Sequence, residues 1–343
     1  MIKIIPLMRM CAYLLAEISS KKMLSATRKL TLYSSIFLLI ITSACTKTTP
    51  VEVPVPVPVT VPPPKMVSPP GIKQKDSLSN GVDLQPSYYN NGNPEFAWDT
   101  MKAQIKIKTV RIEIEPDKVS QAKIWISQAK SHGFKVIATY HKYTVLGSDN
   151  ESDLLDAANW WKTNYANLGG GFTINLMNEW GSHNLTASSY ATDYNTAIAI
   201  VRTVYSGFII LDIPGYGQET YTAYQACKTS TPTLIDTNII LSAHIYPNGY
   251  NQGRNHTMQV SDLDDISNSG RLGIIGEFGN STAGPSDWSG IVDKAKAKGW
   301  PVIGWCWNGD GGTMNMMSPS WASNSTATSF SKSAYFSVIY DKL

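Results

Sequence analysis

Cysteine is scarce in this chain: there are four in 343 residues, at positions 11, 45, 227 and 306. Their spacing matches neither a thiolate metal site nor a dense disulfide framework. Cys11 and Cys45 fall in or beside an amino-terminal address, so Cys227 and Cys306 are read as buried thiols, with a bridge between the two as the alternative. Histidine is nearly as sparse, at five. His141 and His244 have no third ligand at helical or loop spacing, which argues against a catalytic metal. Charged residues make up only 16% against 43% hydrophobic, a balance suited to a globular chain with a substantial core. A basic surface is also missing. Residues 1–44 hold six Lys/Arg against the single acid Glu17, so the formal +3 becomes about −2 for the remainder, and no nucleic-acid partner is implied. No glycine-rich dinucleotide fingerprint follows the first expected strand, and no cofactor is called for. Aromatics, by contrast, are plentiful, with ten Trp and 17 Tyr. Packing accounts for about half of them; the others suit sugar binding, because the apolar faces of pyranose rings stack on aromatic side chains.

The amino terminus reads as an address followed by a stalk. Arg28 and Lys29 precede the apolar run Ile36–Ile41, and Thr42-Ser43-Ala44-Cys45 follows. Basic residues, a short apolar run and small residues at the cut form the order of an export signal, and the run is too short to span a bilayer comfortably. Small residues ending on Cys45 resemble the bacterial lipoprotein signal, apart from Thr42 where that signal usually has Leu. Residues 1–45 are therefore read as an export signal with Cys45 as lipid anchor, the natural start being Met23. Ordinary secretion into the periplasm or medium is the alternative to an outer-membrane or cell-surface lipoprotein. Residues 46–70 hold nine prolines in 25 positions. With so few backbone donors they are expected to extend as polyproline II, roughly 80 Å at most. Such a stalk would hold a domain away from the membrane and favour a large extracellular or periplasmic substrate.

From 71 to 343 short β-like apolar runs alternate with longer helical ones. Strands are expected at Gly81–Leu84, Thr109–Ile114, Lys135–Tyr140, Phe172–Met177, Phe208–Ile213, Asn238–Ile245, Leu272–Glu277 and Pro301–Trp307. Helices are expected at Val119–Ser131, Asp153–Tyr165, Tyr190–Tyr205 and Trp288–Lys298. Eight strands alternating with helices over some 250 residues is the pattern of a (β/α)8 barrel forming a single α/β catalytic domain. A doubly wound sheet is the alternative.

The chemistry-bearing residues fall at the carboxyl ends of these strands, where barrels gather their sites. They are Arg111 on strand two, His141 after strand three and Asn178-Glu179-Trp180 after strand four. His244 and Tyr246 close strand six, Glu277 strand seven, and Trp305 and Trp307 strand eight. Strands four and seven lie across the barrel from each other, so Glu179 and Glu277 can face one another over the mouth. Cleaving a glycosidic bond with retention needs two carboxyls about 5–5.5 Å apart, one attacking carbon and the other serving as acid, then base. Arg111 and Tyr246 suit a role in keeping Glu277 ionised. Asn178 suits a bond to the 2-hydroxyl, Trp307 a floor under the sugar, and His141 and His244 further hydroxyl contacts.

In this order, Thr109-Val110-Arg111-Ile112, His141, Asn178-Glu179-Trp180, His244-Ile245-Tyr246, Gly276-Glu277-Phe278-Gly279 and Trp305-Cys306-Trp307 resemble glycoside hydrolase family 5. The resemblance spans nearly all of residues 78–343. It implies a barrel, a double-displacement mechanism with Glu179 as acid/base and Glu277 as nucleophile, and a polysaccharide substrate; the chain is expected to act as a monomer. It also implies supporting roles for Arg111, His141, Asn178, Trp180, His244, Tyr246, Trp305 and Trp307. Within that family, Asp212-Ile213-Pro214-Gly215-Tyr216-Gly217-Gln218 looks most similar to bacterial β-mannanases, whereas the loop 308–315 departs from them. Endo-β-1,4-mannanase is the reading, β-1,4-glucanase (cellulase) the alternative, and a non-catalytic glycan-binding lipoprotein a lesser one.

Overall fold

The computed structural model describes residues 78–280 and 282–343. The export signal, Cys45, Met23, the proline-rich stalk and the first residues of the expected domain lie outside the described residues. Eight barrel strands run β1 (Gly81–Leu84), β2 (Thr109–Ile114), β3 (Lys135–Tyr140), β4 (Thr173–Asn175), β5 (Ile209–Asp212), β6 (Ile239–Ile245), β7 (Leu272–Phe278) and β8 (Val302–Asn308) among the described residues. All pair in parallel, and β8 closes on β1 to complete a barrel. A helix follows each strand: α1 (Trp98–Lys102), α2 (Val119–Ser131), α3 (Glu151–Asn164), α4 (Ala187–Val201), α5 (Thr220–Lys228), α6 (Leu263–Asn268), α7 (Trp288–Ala297) and α8 (Phe336–Tyr340). Polar side chains start several of them. Asn150 accepts from the Ser152 amide, Thr186 from Ser189 and Asp287 from Gly290, each meeting a donor the helix itself leaves unpaired. Among the described residues no helix is long and apolar enough to cross a membrane.

Alternation along the strands divides the interior into two layers. Ile137, Ile210, Ile240, Ile274 and Ile303 plug the amino-terminal half of the barrel, with Leu78 and Phe208 packed on them. Two residues onward the inward positions turn polar: Thr139 follows Ile137, Asp212 follows Ile210, and Ser242 then His244 follow Ile240, all fully buried. A step of two keeps each pair on one face of its strand. The dry plug thus supports a layer of buried polar groups directly beneath the carboxyl mouth. A larger apolar layer fills the space between strands and helices. Cys227 and Cys306 are free and buried.

Strands β1 to β3 and helix α2 coincide with the expected ranges. Strand β4 is shorter than expected. The Leu176 carbonyl accepts the Trp161 indole N–H at 2.8 Å, so that carbonyl serves helix α3 instead of a strand ladder.

Candidate active site

Arg111, on β2, is the hub of the polar layer. Its side chain is 1% exposed, and its Nη1 lies 2.9 Å from one oxygen each of Asp83, Glu113 and Glu277. Nε donates to Asn175 Oδ1 at 3.1 Å and Nη2 to Asn178 Oδ1. Asp212 Oδ2 is 3.6 Å from Nη2. A planar guanidinium with five donors can meet so many acceptors at once; an ammonium cannot. Asp83, Glu113 and Glu277 form a trio of the sort that holds metal ions, and here the guanidinium supplies the cation they share. With its oxygen given to Arg111, Asn178 keeps its amide N–H2 as donor.

Glu277 ends β7. Its Oε2 accepts from the Tyr246 hydroxyl at 2.7 Å and its Oε1 faces Arg111 and, at 3.5 Å, His244 Nδ1. Burial alone would raise this carboxyl. The positive charges of His244 and Arg111 and the Tyr246 hydrogen bond outweigh it and hold Glu277 below the usual glutamate value.

Glu179, beyond β4, is positioned through its backbone. The residue sits in the left-handed region at φ +48°, where a side-chain-bearing residue pays about 1–2 kcal/mol. Asp212 Oδ2 accepts its N–H at 3.0 Å, and its carbonyl accepts the Gly147 N–H at 2.8 Å, so both sides of the residue are pinned. Burial pushes its carboxyl up. The His244 hydrogen bond opposes that, the nearby charge of Glu277 adds to it, and the net direction is upward. One oxygen from Glu179, one from Glu277 and a ring nitrogen of His244 all lie within 4.8 Å of one another. The two carboxyls therefore face each other across the mouth, one favoured neutral and the other ionised.

His244 joins them. Nδ1 lies 2.9 Å from Glu179 Oε1, and Nε2 lies 3.4 Å from Asp212 Oδ2. Burial lowers the affinity of the ring for a proton, but the charges of Glu277 and Asp212 and the hydrogen bonds to Asp212 and Glu179 outweigh it, and the net direction for His244 is upward. Asp212 is held at about 2 against burial by His244, Arg111 and the Glu179 amide. His141 is 2% exposed and faces Glu115 Oε1 at 2.9 Å and Glu113 Oε2 at 3.5 Å. The Tyr88 hydroxyl also reaches its Nδ1 at 2.9 Å.

Two expected site residues are corrected. Trp180 is fully buried, with its indole donating to the Asn150 carbonyl and its ring 5.5 Å from Tyr194; it packs under helix α4 and has no face in the cleft. Trp307 donates to the Phe96 carbonyl and packs on Phe336, so it belongs to the layer outside the barrel and cannot be the floor. The cause is a break in alternation. Val82 pairs with Gly304 but Leu84 with Asn308, so β8 bulges and Trp305 and Trp307 no longer share a face. Trp305 is left beside the mouth, its indole donating to Asp310 Oδ1 at 3.2 Å. Asp83, Glu113, Asn175 and Asp212 were not singled out as site residues, although Glu113 stands two positions from Arg111 on one strand face.

The profile described as "Cellulase (glycosyl hydrolase family 5)" matches residues 88–311. The chain belongs to glycosyl hydrolase family 5. A mannan endo-1,4-beta-mannosidase from Streptomyces lividans is 26% identical over 208 residues, covering 56% of this chain and 51% of that protein. The chain thus spans about half the length of that relative. Among solved structures, a mannotriose complex of Thermomonospora fusca β-mannanase is 23% identical at a TM-score of 0.59, covering 77% of this chain and 88% of the other. A Thermobifida fusca endoglucanase catalytic domain is 14% identical at 0.61, covering 77% and 91%. These likenesses establish that the family 5 barrel is the fold.

Proposed function

We propose that this family 5 chain is a retaining endo-β-1,4-mannanase with Glu277 as nucleophile and Glu179 as acid/base. The observation that carries the reading is the facing pair of carboxyls whose surroundings push them in opposite directions. Glu277 attacks the anomeric carbon as Glu179 protonates the departing oxygen. The resulting ester carries no charge, so the repulsion that raised Glu179 relaxes and the same group, now ionised, takes a proton from water. Arg111 and Tyr246 hold the nucleophile ionised and aimed. The Asn178 amide donates to the 2-hydroxyl, and Trp305 supplies the floor that Trp307 does not.

The pH profile follows from the same directions. Glu277 must be ionised, so kcat/KM is lost as pH falls through its lowered pKa. Glu179 must be protonated, so kcat/KM is lost as pH rises through its raised one. A bell is expected, its limbs on either side of the usual glutamate value; absence of an alkaline limb would remove Glu179 as proton donor.

The mannan assignment is supported by the relatives' names and by the segment Asp212–Gln218. A β-1,4-glucanase is the second reading, favoured by the family's description and by the endoglucanase likeness. Product release from linear β-mannan, glucomannan and soluble cellulose decides between them. Mixed short oligosaccharides from mannan with little from cellulose are expected; the reverse would keep the two-carboxylate mechanism and overturn the substrate. We further propose that Cys45 carries a lipid and that the proline-rich segment displays the barrel outside the cytoplasm. Mass analysis of the mature amino terminus tests this.

A further inference from the structure

Glu219 is a fully buried acid that the proposed mechanism does not use. It stands just before helix α5, where an acidic side chain ordinarily turns back onto the free N–H groups of the helix. Here it makes no such bond. Its two oxygens instead leave the loop after β5 and take donors from two other loops. Oε1 faces His183 Nδ1 at 2.6 Å and accepts the Gln252 N–H at 2.7 Å, and Oε2 accepts the Gly253 N–H at 2.8 Å. A carboxylate only accepts, so the His183 ring carries its hydrogen on Nδ1. His183 follows β4, and Gln252 and Gly253 follow β6. One buried side chain thus ties three consecutive loops of the mouth, and three donors offset its removal from water.

What this tie holds is the turn Pro214–Gly217. The Glu219 N–H donates to the Pro214 carbonyl at 2.9 Å, and the Gly215 N–H donates at 2.8 Å to the carbonyl of Gly181, two residues beyond Glu179. Gly215 and Gly217 are left-handed, at φ +65° and +80°, and neither has room for a side chain. A Cβ on Gly215 would lie 2.6 Å from both Glu219 Cγ and His183 Nδ1; one on Gly217 would lie 2.6 Å from His244 Cγ. The turn is therefore pressed between the Glu219–His183 pair on one side and His244 on the other. His244 Nδ1 in turn lies 2.9 Å from Glu179 Oε1. Contacts run unbroken from Glu219 to the carboxyl that must carry the proton, with a glycine at each close approach.

We infer that Glu219 is a positioning residue for the acid/base: through this turn it braces the His244 ring and the Glu179 carboxyl from behind. The inference rests on the assignment of Glu179 as acid. Glu219 is fully buried and touches no sugar, so its effect falls on delivery of the proton.

Two aryl β-mannobiosides isolate that step. Phenolate needs a proton to depart, and 2,4-dinitrophenolate does not. Glu219→Gln keeps the size of the side chain but sets an N–H2 against one of its donors. It is expected to lower kcat/KM on the phenyl substrate about tenfold and to change it on the dinitrophenyl substrate by less than about twofold. The alkaline limb should also move upward. Glu277 on β7 and Asp212 on β5 raise the Glu179 carboxyl, and the hydrogen bond from His244 on β6 lowers it; a displaced ring lowers it less. His183→Ala, at a ring 27% exposed, removes one of the three donors and should give the same split to a smaller degree, so the inference stays testable if Glu219→Gln does not fold. Equal loss on the two substrates, or no loss on the phenyl one, makes Glu219 a structural tie only and overturns the inference. Glu179→Gln tests the acid assignment separately and should show the largest split. No split there removes Glu179 as acid and the positioning role with it; a split there and none in Glu219→Gln overturns the positioning role alone. If β-glucan proves to be the substrate, the phenyl and dinitrophenyl cellobiosides carry the same comparison.

Discussion

Glu277→Gln is expected to lower turnover of polysaccharide by about 10⁴-fold or more while the protein still folds and still binds its substrate. The amide is nearly the same size as the carboxylate but is no nucleophile. It also cannot satisfy both of its neighbours. Its one oxygen can accept from Tyr246 or from Arg111, which Glu277 now serves with Oε2 and Oε1 respectively, and the N–H2 must then face a second donor. Folding should suffer little from this, because the substitution also removes a negative charge that burial sets near Asp83 and Glu113 and that raises both. A second readout comes from Glu179. The charge of Glu277 is one of the influences raising it, so Glu179 should titrate at a lower pH in the variant when followed by NMR of its labelled carboxyl. Unchanged turnover would exclude Glu277 as nucleophile. An unchanged Glu179 titration would exclude the electrostatic coupling on which the acid-to-base switch depends.

The parts of this molecule that follow local rules were legible in its sequence. Strands β1 to β3 match the expected bounds because runs such as Thr109–Ile114 are bounded by turn residues and filled with β-branched side chains. The ordered polar residues at strand ends located the mouth for the same reason: a barrel brings all its strand ends to one face. Side-chain direction was legible only where alternation held. It failed at Trp307, where a bulge in β8 turned the ring outward, and at Trp180, where the left-handed Glu179 sends the chain behind α4. The buried acids Asp83, Glu113 and Asp212 were hidden for a different reason. Single acids in otherwise apolar strands have no meaning until a partner is known, and that partner, Arg111, is 28 residues from Asp83 and 101 from Asp212 in sequence. Pairing across a closed barrel is a property of topology, and no window along the chain contains it.

Arg111 is where that topology brings four carboxylates onto one side chain. Arg111→Met is expected to cost about 3–5 kcal/mol in unfolding free energy, the usual result of removing one partner from a buried charge cluster. The methionine fills similar space but leaves Asp83, Glu113, Asp212 and Glu277 facing one another with only His244 and His141 as nearby cations. Arg111→Lys should recover only part of the loss, since one ammonium cannot reach Asn175, Asn178 and three carboxylates together. The pH dependence carries the distinguishing sign. Burial already holds Asp83 and Glu113 above the usual carboxyl values and Arg111 opposes it, while Glu277 is held below its own partly by Arg111; without Arg111 all three folded-state pKa values move upward. Stability is then lost above those raised values and regained as pH falls through them. The deficit of Arg111→Met relative to the unmutated protein should therefore narrow in denaturant titrations as the solution is acidified. Activity should show the matching change, its acid limb moving upward because Glu277 now holds its proton at higher pH. A deficit below about 1 kcal/mol, or one independent of pH, would mean that the four acids do not share this guanidinium as their counter-charge.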